Sequence, residues 1–216
     1  EITTRLVGSE MCIRDSIRVG RTEKEIQLEL DYYMLKNGAE ALSFDTIALS
    51  GSNTSLPHGV PSDKKVESGE FVLMDFGATY DGWHSDMTRT VCVGKPSDKM
   101  KSVYETVLTA QLTALDAVKA GMSGKALDKI ARDIIIEAGY GDNFGHSLGH
   151  GVGVEIHESP YASPSREDIL PENSIVTVEP GIYLEGKFGV RIEDFVVVTE
   201  NGCINMTKAP KELICL

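Results

Sequence analysis

Long apolar runs, clustered cysteines and an excess of basic residues are all missing from this 216-residue sequence. No stretch reaches the ~18 apolar residues that a membrane-spanning helix requires, and the chain does not begin with a recognisable signal peptide. We therefore expect no membrane partner. The formal net charge of −12 argues against nucleic acid as the main partner, because the phosphate backbone would repel it.

The cysteines exclude two further classes of protein. Cys12, Cys92, Cys203 and Cys215 show neither the spacing of zinc ligands nor a dense disulfide framework. A reducing, cytoplasmic location is the simplest expectation. With 41% hydrophobic and 25% charged residues, the chain has the composition of a globular protein of one large domain or two small ones.

The periodicity of apolar residues predicts helices followed by strands, twice along the chain. Helices are predicted over residues 22–37, 98–120 and 123–138, the first starting with a capping box and the second having an apolar face that includes Val103, Val107, Leu112 and Leu115. Strands are predicted at residues 44–49, 71–74, 175–178, 182–184 and 190–199. The repetition suggests two similar α/β halves with the chemistry at their junction. Residues 1–21 fit neither pattern.

The first half carries a pair of acids on an apolar hairpin. Asp81-Gly82 is typical of a two-residue turn, and such a turn places Asp75 opposite Thr88. Asp86 then lies on the same face as Asp75, close enough to share a ligand. Two such carboxylates lose hydration and repel each other, so they need a cation, a shared proton or solvent. We favour a cation.

The second half carries another pair. A hairpin centred on Gly186 would place Glu179 directly opposite Glu193, where like charges destabilise a sheet. Apolar residues surround both glutamates. A single pair of this kind is more often exposed to solvent, but two pairs on apolar hairpins favour a buried site.

Three of the five histidines, His146, His150 and His157, lie within one glycine-rich segment. Glycines flank His150 on both sides, as close approach by a metal or another backbone would require. A glycine-rich surface loop is the alternative. Four carboxylates and one imidazole would form an oxygen-rich site suited to Mn²⁺, Co²⁺, Fe²⁺ or Zn²⁺.

Four separated motifs resemble the M24 metallopeptidase family, in the branch of aminopeptidase P and prolidase (Xaa-Pro dipeptidase). They are VLMDFGATYDGWHSDMTRT (72–90), HSLGHGVGVEIHESP (146–160), TVEPGIY (177–183) and GVRIED (189–194). The resemblance implies the α+β pita-bread fold, in which two pseudo-symmetric α/β halves surround a curved, mainly antiparallel sheet. It implies a single catalytic domain over residues 1–216, without the N-terminal domain that such enzymes typically carry. A homodimer is one assembly that it allows.

The resemblance also implies the roles of nine site residues. The implied ligands of two divalent metal ions, with Mn²⁺ or Co²⁺ favoured over Zn²⁺ or Fe²⁺, are Asp75, Asp86, His150, Glu179 and Glu193. The implied catalytic residues are Glu179, His157, His58 and Arg191, and the implied substrate contacts are His58, His157, Arg191 and His146.

The implied reaction is hydrolysis of the bond between an N-terminal residue and proline by a metal-activated hydroxide. Glu179 would accept and return the proton, while His157 and His58 would hold the developing oxyanion. Arg191 would orient a ligand carboxylate or bind the carboxylate of the substrate. A charge-balancing salt bridge is an equally good interpretation of Arg191.

Three other functions are compatible with the same fold. A methionine-aminopeptidase-like enzyme is disfavoured by LPHG (56–59), TRT (88–90) and VRIED (190–194). A non-catalytic binding module and a metal-free hydrolase of guanidino compounds are disfavoured because no implied ligand is substituted. Trp83-His84 departs from the usual pattern, and we interpret His84 as a bystander. The sequence does not separate a dipeptidase from an aminopeptidase of longer peptides.

Overall fold

The computed structural model describes residues 16–216. The first fifteen residues of the unclassified segment, including Cys12, lie outside the described part. The helices are α1 (Glu23–Lys36), α2 (Asp98–Ala117) and α3 (Gly124–Glu137), with 3₁₀ turns at Gly51–Ser55 and Gly141–Asn143. None of the helices in residues 16–216 is long and apolar enough to cross a membrane.

Thirteen strands make up the sheets of the described chain. The strands of the first half are β1 (Ala41–Leu42), β2 (Ile47–Ser50), β3 (Glu70–Phe76), β4 (Ala78–Tyr80), β5 (Trp83–His84) and β6 (Met87–Val93). Those of the second half are β7 (Gly149–Gly151), β8 (Glu158–Ala162), β9 (Ile175–Val178), β10 (Gly181–Leu184), β11 (Phe188–Arg191), β12 (Asp194–Thr199) and β13 (Gly202–Asn205).

The helices begin where the sequence predicts. At α1 the Glu25 N–H donates to Thr22 Oγ1 at 3.2 Å, and the Thr22 N–H donates to Glu25 Oε2 at 2.8 Å. This reciprocal capping satisfies two backbone donors that a helix start leaves free. The other two helices have serine caps, at Ser97 and Ser123. Helix α2 ends at Ala117, three residues before the predicted end.

The first-half sheet has the strand order β2-β3-β6, with all neighbours antiparallel. Asp75 pairs with Thr88 across β3 and β6, as the turn chemistry predicts. Asp81 and Gly82 have φ values of 51° and 73°, which is the left-handed geometry of a tight hairpin turn. The predicted strand at 44–49 is shorter, because β2 begins at Ile47.

The second-half sheet has the order β13-β12-β9-β7-β8, and β10 and β11 form a separate hairpin. Val178 pairs with Asp194 on one side of a break and Gly181 pairs with Arg191 on the other. One register therefore runs through both sheets, and it places Glu179 opposite Glu193 as predicted. The predicted strand 190–199 is interrupted at residues 192–193.

The break has a clear cause in the backbone hydrogen bonds. The Glu179 N–H donates to the Leu148 carbonyl at 2.8 Å, and the Glu193 N–H donates to the Thr88 carbonyl at 3.1 Å. Neither glutamate therefore completes the ladder between its own two strands. Their side chains are held at the junction where β6 of the first half meets the second-half strands.

Two hydrophobic cores support the sheets. One contains α2 and α3 together with second-half strands, and the other contains the inner face of α1 and the first-half sheet. The pairs between the named strands of residues 16–216 are antiparallel, and the helices cover the sheets. This arrangement confirms the predicted α+β class.

Candidate metal centre

A cavity of about 480 Å³ opens at the junction of the two halves. All nine site residues that the resemblance implied line it: His58, Asp75, Asp86, His146, His150, His157, Glu179, Arg191 and Glu193. The remaining lining residues are Phe44, Asp45, Ile47, Ser147, Gly149 and Tyr161. The sequence reasoning singled out Gly149 as a glycine beside His150 and assigned no site role to the other five. His84, interpreted as a bystander, does not line this cavity.

The carboxylates converge on His150. Its Nε2 atom lies 3.4 Å from Glu179 Oε1 and 3.6 Å from Asp86 Oδ2. Ligand atoms of Asp86, His150 and Glu193 all lie within 4.8 Å of one another. These three side chains are buried, so the group has little water to stabilise its charge.

The imidazole of His150 is oriented for ligation. Its Nδ1 atom lies 3.0 Å from the Gly151 carbonyl oxygen, which can only accept a hydrogen bond. Nδ1 must therefore carry the proton, and the lone pair of Nε2 faces the carboxylates. Burial lowers the pKa of His150 to about 4, which keeps the ring neutral, as a metal ligand must be.

Burial makes the charged forms of these carboxylates unfavourable. Burial, together with the neighbouring carboxylates, raises the pKa values of Asp86 and Glu193 well above their usual range. Burial raises the pKa of Glu179 to about 8. The Oδ1 atoms of Asp75 and Asp86 are buried without a hydrogen-bond partner among residues 16–216. Divalent cations would satisfy these oxygens, so the donor set fits such ions.

Threonine hydroxyl groups orient two of the carboxylates. Thr88 Oγ1 donates to Glu193 Oε2 at 2.6 Å, and Thr177 Oγ1 donates to Glu179 Oε1 at 3.2 Å. The sequence reasoning missed both roles. Thr177 precedes Glu179 by two residues and so shares its face of the strand, which was an available signal.

The guanidinium group of Arg191 is buried and hydrogen-bonded to other groups of the protein. Its Nη2 lies 2.5 Å from Asp75 Oδ2, and its Nε donates to Thr88 Oγ1 at 3.0 Å. Its Nη1 donates to the Tyr183 hydroxyl at 2.8 Å and the Pro57 carbonyl at 3.2 Å. The side chain is 3% exposed. The ion pair with Asp75 agrees with two of the expected roles, orientation of a carboxylate in the implied ligand set and a charge-balancing salt bridge.

The other three histidines of the implied site line the walls of the cavity. His146 Nε2 lies 2.8 Å from the Tyr183 hydroxyl, and burial lowers the pKa of His146 to about 3. The ring centroids of His150 and His157 are 4.3 Å apart. His58 enters from the loop after the first 3₁₀ turn. The contacts of Tyr183 with His146 and Arg191 were not predicted.

The glycines beside His150 permit a close backbone approach. A Cβ atom at Gly149 would lie 2.0 Å from the Thr177 carbonyl oxygen, and one at Gly151 would lie 2.6 Å from the Ser159 carbonyl oxygen. Side chains at either position would push neighbouring strands away. The predicted close approach to another backbone is thus confirmed.

Known proteins are similar to this chain in sequence and fold. Residues 4–200 match the sequence model of Metallopeptidase family M24. The chain is 51% identical over 204 residues to an Xaa-Pro dipeptidase of Pyrococcus furiosus. The aligned region covers 94% of this chain and 59% of that protein.

Two solved structures superimpose closely on this chain. An Xaa-Pro dipeptidase from Bacillus anthracis has a TM-score of 0.98 and 49% identity, covering 100% of this chain and 61% of that one. An X-Pro aminopeptidase from Thermotoga maritima has a TM-score of 0.97 and 50% identity, covering 100% and 61%. This likeness confirms the predicted pita-bread fold. The chain spans about three fifths of the length of these relatives, and it belongs to metallopeptidase family M24.

Proposed function

We propose that this chain is one catalytic domain of a metal-dependent peptidase that hydrolyses the bond between an N-terminal residue and a following proline. The observation that carries the proposal is the convergence of four carboxylates and His150 on one cavity. The buried Oδ1 atoms of Asp75 and Asp86 have no hydrogen-bond partner in the described part of the chain, and bound cations would compensate them. Relatives named Xaa-Pro dipeptidase and X-Pro aminopeptidase support the specificity.

Five side chains would hold two divalent ions, with Mn²⁺ or Co²⁺ favoured. They are Asp75, Asp86, His150, Glu179 and Glu193. When bound, such ions lower the pKa of water and polarise a carbonyl group. Arg191 and Thr88 fix the directions of the carboxylates of Asp75 and Glu193, so that the ligand oxygens need little rearrangement.

Glu179 is the proposed acid and base. Its carboxylate lines the cavity 3.4 Å from His150, among the groups that would surround the peptide bond, which suits a group that accepts and returns a proton. Thr177 holds one carboxylate oxygen. His58 and His157 are the proposed donors to the carbonyl oxygen of the substrate.

The proposed substrate is a small peptide with proline in second position. A peptide bond to proline has no N–H, so a peptidase cannot recognise this bond through a backbone donor. The apolar side chains of Phe44 and Ile47 and the ring of Tyr161 line the cavity beside the polar cluster. They give the ring of proline and the N-terminal side chain an apolar surface to contact.

The proposal is tested by comparing three peptides with the metal-loaded protein. We expect cleavage of Gly-Pro or Gly-Pro-Ala and no comparable cleavage of Met-Ala, and the ratio of the first two separates a dipeptidase from an aminopeptidase. Asp86→Asn should abolish turnover with the fold retained, whereas the matched variant His84→Ala, outside the cavity, should retain it. Preferred cleavage of Met-Ala, or normal turnover by Asp86→Asn, would refute the proposal.

A further inference from the structure

Glu23 is a buried carboxylate that the proposed chemistry does not use. It is the first residue of α1, it is 0% exposed, and it does not line the cavity. Helix capping does not require it, because Thr22 and Glu25 already form the capping box. Burial of a carboxylate needs compensating hydrogen bonds, so the partners of Glu23 indicate what it does.

Within the described residues 16–216, the hydrogen bonds to this carboxylate come from one segment, residues 50–62. Oε1 accepts from the Ser50 N–H at 2.7 Å and the Ser50 hydroxyl at 3.2 Å. Oε2 accepts from the Ser62 N–H at 2.9 Å and the Ser62 hydroxyl at 2.6 Å. The Asn53 amide donates to both oxygens, at 3.0 and 3.2 Å.

These partners lie at the two ends of the loop that carries His58. Ser50 is the last residue of β2, and Ser62 lies four residues after His58. Arg191 Nη1 holds the Pro57 carbonyl at 3.2 Å, one residue before His58. The loop is therefore fixed at both ends by Glu23 and near its middle by a residue of the cavity.

No cation in the described residues 16–216 forms an ion pair with Glu23. Lys64 approaches only through the Ser50 hydroxyl, at 3.0 Å, and its own ion pair is with Glu70, at 2.8 Å. The direct hydrogen bonds that the structure describes for the charge of Glu23 therefore come from the loop donors. Such charge-assisted bonds are stronger than neutral ones, and the loop can move away only by giving them up.

We propose that Glu23 is a positioning residue, which fixes the loop of residues 50–62 so that His58 projects into the cavity at the place where the substrate binds. The part of this proposal that concerns substrate rests on the proposed function. The anchoring of the loop does not depend on it.

Amide hydrogen exchange of the full chain tests the anchoring. Glu23→Gln keeps the shape of the side chain but turns an –NH₂ group toward donors, so we expect faster exchange across residues 50–62 and no change at residues 146–151. The matched control is Glu25→Gln, in the same turn of α1, which weakens the capping bond to Thr22 and should leave exchange at 50–62 unchanged. Unchanged exchange at 50–62 in Glu23→Gln would overturn the proposal.

Kinetics test the connection to His58. With the metal content unchanged, Glu23→Gln should lower kcat/KM for Gly-Pro on the order of 10-fold, as misplacement of a catalytic group does. In a His58→Ala background the same substitution should have little further effect. An equal loss in both backgrounds would show that Glu23 does not act through His58, which overturns the proposal.

Two outcomes of these experiments call for a further variant or measurement. If Glu23→Gln does not fold, Ser62→Ala removes the 2.6 Å bond from the loop side and carries the same expectations. If the wild-type chain with metal does not cleave Gly-Pro, the proposed function fails, and the exchange experiment alone decides whether Glu23 fixes the loop.

Discussion

Arg89 holds the two halves of the molecule together, and its replacement should destabilise the fold strongly. The side chain is 1% exposed, and Nη2 forms an ion pair with Asp194 at 2.7 Å. The guanidinium also donates to four backbone carbonyl oxygens, those of Thr88, Glu193, Ala209 and Pro210.

The expected loss follows from these contacts. In Arg89→Met the four carbonyl groups lose their donor, at about 1 kcal/mol each. Asp194 keeps Lys211 at 2.6 Å and Asn205 at 2.6 Å, so its charge remains paired. The total is therefore about 4 kcal/mol.

Equilibrium unfolding in urea, with chelator present to exclude metal binding, measures this loss. The matched control is Lys129→Met, which removes an exposed ion pair with Asp133 of the same 2.7 Å length and should cost no more than about 0.5 kcal/mol. If Arg89→Met lies within about 1 kcal/mol of the control, the assignment of Arg89 as the link between the halves is wrong.

Three further predictions follow from the surroundings of single residues. Gly149→Ala places a methyl group 2.0 Å from a backbone oxygen, so it should lower the free energy of unfolding by about 1–3 kcal/mol and weaken metal binding at His150 in calorimetry; an unchanged affinity would contradict this. His146 has its folded pKa lowered from 6.5 to about 3, so the unfolded chain binds the extra proton between these values. Stability should then fall as pH falls below about 6.5, by up to about 1.4 kcal/mol per pH unit, and metal-free His146→Gln should show a shallower slope in urea titrations between pH 6 and 4; parallel slopes would count against it. Burial raises the pKa of Cys92 to about 11 whereas Cys215 is exposed, so an aromatic disulfide reagent at pH 8 should label Cys215 rapidly and Cys92 only on unfolding, as mass spectrometry of labelled peptides would show; equally fast labelling of both would be contrary to the structure.

Local chemistry made much of the fold predictable. The Asp81-Gly82 turn determines the pairing of β3 with β6, and so the face on which Asp75 lies. The hairpin centred on Gly186 likewise gave the correct register for Glu179 and Glu193. In both cases a short turn sets the register of the two strands that it connects.

The sequence predictions were wrong where contacts with residues distant in the sequence determine the local backbone structure. Glu179 and Glu193 interrupt their strands because their N–H groups bind Leu148 and Thr88, and no local pattern reveals such partners. Phe44 was predicted to lie in a strand, but it precedes β2, which begins at Ile47, and it lines the cavity.

Helix α2 shows the limit of periodicity as a signal. Leu112 was placed on its apolar face but is 42% exposed, while Gln111 is fully buried. The buried stripe passes through Gln111, and the polar character of that residue hid the true face.

The number of divalent ions bound per chain tests the central claim most directly. Titration calorimetry with Mn²⁺, checked by elemental analysis of the dialysed protein, should give two ions for the wild-type chain and fewer for Glu193→Gln. The exposed control Glu200→Gln should match the wild type. A wild-type chain that binds no divalent ion, or a Glu193→Gln chain that binds two with undiminished affinity, would contradict the account.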